Sequence, residues 1–134
     1  TALNVLVYKV DATVKYLSFE PLLGPMGNSL DGFLDSNGGI NWLIIGACTG
    51  TLNNLKHTAM IHPELSLVPY GKHWTLQPKI EWVQEIVEAA DRAGVVVFLK
   101  DNLNPLFESL DAYALGLPNW ACDGMGNLRQ EMPK

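Results

Sequence analysis

Three apolar, β-prone runs that each end abruptly in polar chemistry constrain this chain more than any other feature. Tyr16–Phe19 meets Glu20, and Pro21, Gly24 and Pro25 break the chain just beyond it. Trp42–Ala47 stops at Cys48-Thr49-Gly50, and Val95–Leu99 stops at Lys100-Asp101-Asn102. Before the third run lies Pro78–Ala93, where Ile80, Val83, Ile86, Val87 and Ala90 recur at three- and four-residue steps. That spacing is the buried stripe of an amphipathic helix. Strands alternating with helices connect by right-handed crossovers, which predicts α/β architecture with a parallel sheet. Ligands of such sheets sit where the carboxyl ends of the strands emerge.

Read in order, residues 1–10 favour a strand by propensity through Val5, Leu6, Val7, Tyr8 and Val10, but Ala2, Leu3 and Leu6 also fit a helical face, the end of a helix packing on the first strand. Val14–Phe19 is the first strand, and Ser29–Leu34 forms a short helix stopped by Asn37-Gly38-Gly39. Ile40–Ala47 is apolar enough for a strand buried on both faces under helices. Cys48–Leu76 reads as one long mixed loop, with Leu65–Val68 adding a short irregular strand. Loops of that length in compact domains are usually functional or mobile. Pro78 suits a first helical turn and Gly94 a left-handed cap. Val95–Leu99 is the third strand, Pro105–Leu115 a helix, and Pro118–Lys134 an irregular tail that folds back across the sheet edge.

Three parallel strands fall short of the roughly eight that close a barrel. As a fragment, such parallel βα units would make half or part of a TIM-type barrel. A free unit would instead be a small open parallel sheet of three to four strands with exposed edges. The 134 residues make one domain or a piece of a larger one. Charged residues are 17% of the chain, against roughly a quarter in an average domain. A covered sheet or a missing partner surface would each explain that deficit. The net charge of −5, without any basic block, argues against general nucleic-acid binding. Two cysteines far apart, no signal-peptide layout and no membrane-length apolar run point to a reduced, cytoplasmic protein.

The strand-end residues are the candidates for chemistry. Glu20 and Lys100 could act as base and acid or hold a polar ligand, or they could simply pair with each other. Gly46-Ala-Cys-Thr-Gly50 is a small-residue turn whose backbone N–H groups could cradle a phosphate or carboxylate. Within it Gly46, Cys48, Thr49 and Gly50, together with Asp101, are the candidate cofactor-binding residues. Cys48 has no histidine near it in sequence and reads better as a small buried hydrophobe. His57, His62 and His73 follow no zinc-ligand spacing, so no metal site is assigned. Trp74 and Trp82 read as packing residues.

Four motifs in order resemble one family: Ser18-Phe-Glu-Pro-Leu-Leu-Gly24, Ile40-Asn-Trp-Leu-Ile-Ile-Gly46, Trp82-Val-x-x-Ile86 and Ala93-Gly-Val-x-Val-Phe-x-Lys100. They look like the C-terminal half of the phage-associated, radical-SAM-like proteins of unknown function. Leu128-Arg-Gln-Glu131 and Pro133 are similar to that family's C-terminus. The resemblance implies a partial TIM-type barrel like that of the spore photoproduct lyase group, using S-adenosylmethionine and a 4Fe-4S cluster on three N-terminal cysteines. That motif is not in this chain, so the resemblance implies a C-terminal fragment or a shortened relative, whose partner would be the missing N-terminal barrel half. It also implies that Glu20, Gly46–Gly50 and Lys100 line the barrel mouth. Many relatives carry Gly-Gly-Glu-Ser-Gly where this chain has Gly-Ala-Cys-Thr-Gly, so a carboxylate is absent there. Apart from the resemblance, the residues also allow a non-catalytic module that self-associates through sheet edges, or a small phosphate or carboxylate binder.

Overall fold

The structure, a computed structural model, describes residues 14–26, 30–31, 34, 39–108 and 116–133. Its centre is a parallel sheet of β1 (Lys15–Phe19), β2 (Ile40–Ile45) and β6 (Val96–Leu99), in the spatial order β1-β2-β6. Leu17 lies opposite Leu43, Phe19 opposite Ile45, and Ile45 opposite Leu99. Side chains alternate along a strand. Leu17, Leu43, Ile45, Val97 and Leu99 accordingly fall on one face and are buried. They share one apolar core with Trp82, Val83, Ile86, Val87 and Ala90 of the helix α2 (Ile80–Ala93). Each large aliphatic side chain so buried contributes roughly 1.5–3 kcal/mol.

The opposite face corrects the expectation of a strand buried on both sides. Trp42 and Ile44 of β2 and Phe98 of β6 are only half-buried, and Tyr16 of β1 is exposed. An unbroken apolar run does not reveal whether helices cover one face or two. Here the run supplies core on one side and an aromatic cleft on the other.

The segment read as one long loop is largely ordered structure. It holds β3 (Cys48–Gly50), α1 (Leu52–Ile61), β4 (Ser66–Tyr70) and β5 (His73–Gln77). The three strands form an antiparallel sheet in the order β3-β5-β4. Its elements leave weak sequence signals for separate reasons. Helix α1 buries only Leu55, so it lacks an apolar stripe, but the Thr51 hydroxyl caps it by accepting from Asn54 N–H. Strand β4 contains Pro69, which is tolerated because β4 lies at the sheet edge. Gly71, with φ of 58°, takes the first position of the two-residue turn between Tyr70 and His73.

Helix α2 begins at Ile80 with Lys79 as its N-cap, so Pro78 precedes the cap instead of opening the first turn. Its other end closes as expected. Gly94 is left-handed, and Val95 N–H reaches back to the Ala90 carbonyl. A 3-10 turn, Asp101–Leu103, leads into α3 (Asn104–Glu108). The remainder of the helix expected to Leu115, and residues 1–10, lie outside the described residues. Leu30, Asp31 and Leu34 are helical, and the rest of that short helix also lies outside them.

The C-terminal segment does fold across the sheet edge, and it is ordered. A 3-10 turn at Asn119–Ala121 precedes a bridge between Cys122 and Leu128. Gln130 then pairs antiparallel with Phe98. Leu99 N–H donates to the Arg129 carbonyl at 2.9 Å and Glu131 N–H to the Val97 carbonyl at 2.8 Å. Thus β6 is not a bare edge.

Candidate functional site

The carboxyl ends of the three parallel strands are laced together before any side chain is considered. Gly46 N–H donates to the Phe19 carbonyl, Leu22 N–H to the Gly46 carbonyl and Lys100 N–H to the Ile45 carbonyl, at 2.9–3.1 Å. The ends of β1 and β6, on opposite sides of β2, are thereby brought to one level. Glu20 and Lys100, eighty residues apart in sequence, meet there with Nζ 2.6 Å from Oε1.

Gly46 makes that approach possible. A Cβ at this position would stand 3.1 Å from Lys100 Cδ, 3.2 Å from Glu20 Cγ and 3.3 Å from Asn102 Oδ1. All three are tighter than ordinary contact, so the two charged side chains converge over a position that has no side chain of its own.

Below the pair runs the open face of the sheet, a cleft of about 580 Å³ lined by Tyr16, Ser18, Glu20, Trp42, Ile44, Phe98, Lys100 and Met132. The Trp42 ring lies edge-on to Tyr16 and to Phe98, with centroids 6.2 and 6.1 Å apart. Edge-to-face packing at such distances is favourable beyond simple burial. The Trp42 indole N–H donates to the Glu131 carbonyl at 2.8 Å. The cleft thus has an aromatic floor and a rim carrying one negative and one positive group. The side chains of Glu20 and Lys100 are 34 and 39% exposed, so a ligand can reach both. At that exposure their mutual attraction contributes no more than about 1 kcal/mol. A ligand that offers each charge a partner can replace the pair at little cost.

The remaining predicted site residues go elsewhere. Cys48, Thr49 and Gly50 form strand β3 paired with β5 and line no part of this cleft. The expected anion cradle is already occupied at its start. Gly46 N–H serves Phe19, and Ala47 N–H donates to Asn102 Oδ1 at 3.0 Å. Burial pushes the Cys48 thiol above its ordinary pKa, so the thiolate is disfavoured. Asp101 accepts from Gln130 Nε2 at 2.8 Å and faces a second depression with Asn104, Asp123, Asn127 and Glu131. Glu20, Lys100 and Gly46 therefore come together, whereas Asp101 and Cys48–Gly50 do not join them.

Asn102 is a residue that sequence reasoning named only as part of a strand-end triplet. Its side chain accepts from Ala47 N–H and donates to the Ala47 carbonyl at 2.8 Å and to Thr49 Oγ1 at 3.0 Å. Its own carbonyl accepts from buried Gln77 Nε2 at 2.7 Å. One side-chain amide thus ties the turn after β6 to Ala47 of the β2–β3 link and to Thr49 of β3. The aromatic floor was also missed, although period-two spacing carries it: Tyr16, Ser18 and Glu20, then Trp42 and Ile44, then Phe98 and Lys100.

Arg129, a basic side chain of the C-terminal segment, is committed internally. It bonds Asp91 of α2 at 2.6 and 3.1 Å, Glu131 Oε1 at 2.9 Å and the Trp120 carbonyl at 3.3 Å. The hydrogen bonds to Asp91 are the largest influence raising its pKa, opposed by burial and aided by Glu131. Among the described residues no group of three or more His, Cys, Asp and Glu is arranged to hold a metal ion. No helix among them is long and apolar enough to cross a membrane. Comparison with family models, with curated proteins and with solved structures gives no match for this chain.

Proposed function

We propose that this chain is one half of a radical-SAM-like, partial TIM-type barrel, and that its open sheet face is a ligand-binding wall of the barrel interior. The observation that carries the reading is the cleft itself: helix-covered core on one face, and on the other an aromatic floor ending at the 2.6 Å Glu20–Lys100 pair. Two further features support it. The parallel strands are neighbours in chain order, as in barrels wound in one direction, and the polar residues gather at their carboxyl ends.

S-adenosylmethionine suits such a wall in chemistry. Its aromatic base can pack on Trp42, Phe98 or Tyr16, its ammonium can face Glu20 and its carboxylate can face Lys100. An iron–sulfur cluster does not suit this chain alone. Its two cysteines are fewer than the three ligands required, Cys48 sits in β3, and the Cys122 thiol donates to the Asp123 carbonyl. In this proposal the cluster belongs to a partner half.

Titration of the ¹⁵N-labelled chain with S-adenosylmethionine tests the reading. We expect saturable shifts of the Trp42 indole and of the Ser18 and Lys100 amides, with at least tenfold weaker binding in Lys100→Met and Glu20→Gln. Saturable binding that leaves these resonances still, or that both variants retain in full, would refute it. So would the absence of any shift at millimolar ligand.

A further inference from the structure

We propose that the C-terminal segment Leu128–Met132 is a latched strap forming one wall of the cleft, and that Arg129 is a positioning residue acting through Glu131 on Trp42. The proposal rests on the cleft reading above for its functional meaning, and on separate contacts for its geometry.

The strap attaches to β6 along its whole edge. Val97 offers its carbonyl to Glu131 N–H and its N–H to Glu131 Oε1 at 2.9 Å. Leu99 offers its N–H to the Arg129 carbonyl, and its carbonyl accepts from Gln130 Nε2 at 2.9 Å. Glu131 is thus used three ways: its side chain fills a backbone position of the ladder, its N–H extends the ladder, and its carbonyl receives the Trp42 indole. Met132, the next residue, lines the cleft. Wherever residue 131 sits, the Trp42 ring and the Met132 wall must follow.

Arg129 decides where residue 131 sits. Its side chain is 13% exposed and spans Asp91 on α2 and Oε1 of Glu131. The same Oε1 accepts from Val97 N–H, so the guanidinium and a strand amide hold one carboxylate oxygen between them. Planar Arg–carboxylate contacts of this kind fix orientation as well as position. The chain of contacts runs from the helix through Asp91, Arg129 and Glu131 to Trp42, which stands between Tyr16 and Phe98 in the floor. Arg92, which pairs with Asp31 at 2.8 Å on the surface, has no such link to the cleft among the described residues and provides a control.

The test needs no ligand. Hydrogen exchange of the full ¹⁵N-labelled chain is followed at the Trp42 indole N–H, assigned by Trp42→Phe. In Arg129→Gln we expect the Trp42 indole and the Val97 and Leu99 amides to exchange at least tenfold faster. The Val83 and Ile86 amides of α2 should keep their wild-type rates. Arg129→Lys should be intermediate, and Arg92→Gln should leave the indole unchanged. An unchanged indole in folded Arg129→Gln would overturn the proposal, as would acceleration of Val83 and Ile86 by the same factor, the mark of a general loss of stability. Failure of S-adenosylmethionine to bind the wild-type chain would remove the ligand reading and leave this result to stand or fall separately.

Discussion

Gly46→Ala isolates the feature on which the strand-end site depends. Gly46 has no positive φ, so the substitution adds a methyl group without backbone strain. The cost comes from three atoms lying 3.1–3.3 Å from the new Cβ, where favourable carbon contacts lie at roughly 3.5–4.0 Å. Two of them, Lys100 Cδ and Glu20 Cγ, belong to flexible side chains and can withdraw by a few tenths of an ångström. The third, Asn102 Oδ1, is held by Ala47 N–H and cannot move without weakening that bond. Overpacking of a site ordinarily costs about 1–3 kcal/mol. With two of three neighbours free to shift, we expect the lower end, about 1–1.5 kcal/mol, or a fall in Tm of about 3–5 °C for a domain of this size. Loss of the exposed ion pair accounts for less than about 1 kcal/mol of it. Ligand affinity should fall further than stability, because the same methyl group parts the two charges that define the rim. Urea denaturation and ligand titration of Gly46→Ala, Lys100→Ala and the double variant measure both effects. If Gly46→Ala costs under about 0.3 kcal/mol, or if its cost is fully additive with Lys100→Ala, crowding of the pair is not its origin.

Three other outcomes are expected. Asn102→Ala should destabilise the chain by about 2–4 kcal/mol, since three side-chain hydrogen bonds go and Ala47 keeps a carbonyl and an N–H without these partners; denaturant titration checks this. Cys48 should react with iodoacetamide more slowly at pH 7.4 than a free cysteine peptide. Its rate should keep rising with pH beyond the ordinary thiol range, because burial raises its pKa. Asp123 has its pKa lowered by the backbone N–H groups of Asn127 and then Met125. A depressed carboxylate stabilises the fold above its unfolded pKa and loses that contribution as pH falls through the folded value. The 123–127 turn should therefore hold at neutral pH and loosen only below about pH 4. Amide exchange at Met125 and Asn127 in wild type and Asp123→Asn would read it, and an acid dependence equal in the two proteins would contradict it.

The local signals in the chain were sufficient for the parallel βα frame. Alternating apolar runs, the stripe of α2 and the left-handed Gly94 are properties of consecutive residues, and they locate β1, β2, α2 and β6 within a residue or two. Glu20 and Lys100 were legible for the same reason, since a strand that ends in a charge announces its own end. The β3–α1–β4–β5 unit was not legible. Its helix buries one leucine, its first strand has three residues, and its edge strand carries a proline. Strand β3 depends on β5, distant in sequence, so no short window contains its cause, whereas β4 pairs with β5 in a local hairpin whose signal Pro69 obscures.

What the sequence by itself determined is which residues form the sheet and where each strand stops. Only the tertiary structure decided which face of the sheet would be covered, and that decision makes the site. A period of two separates Leu17, Leu43 and Val97 from Tyr16, Trp42 and Phe98, but it does not say which set meets the helix. The packing of α2 buries the first set and leaves the second as the floor of a cleft. Parallel registration then carries Glu20 to Lys100 across eighty residues, over a glycine that leaves them room.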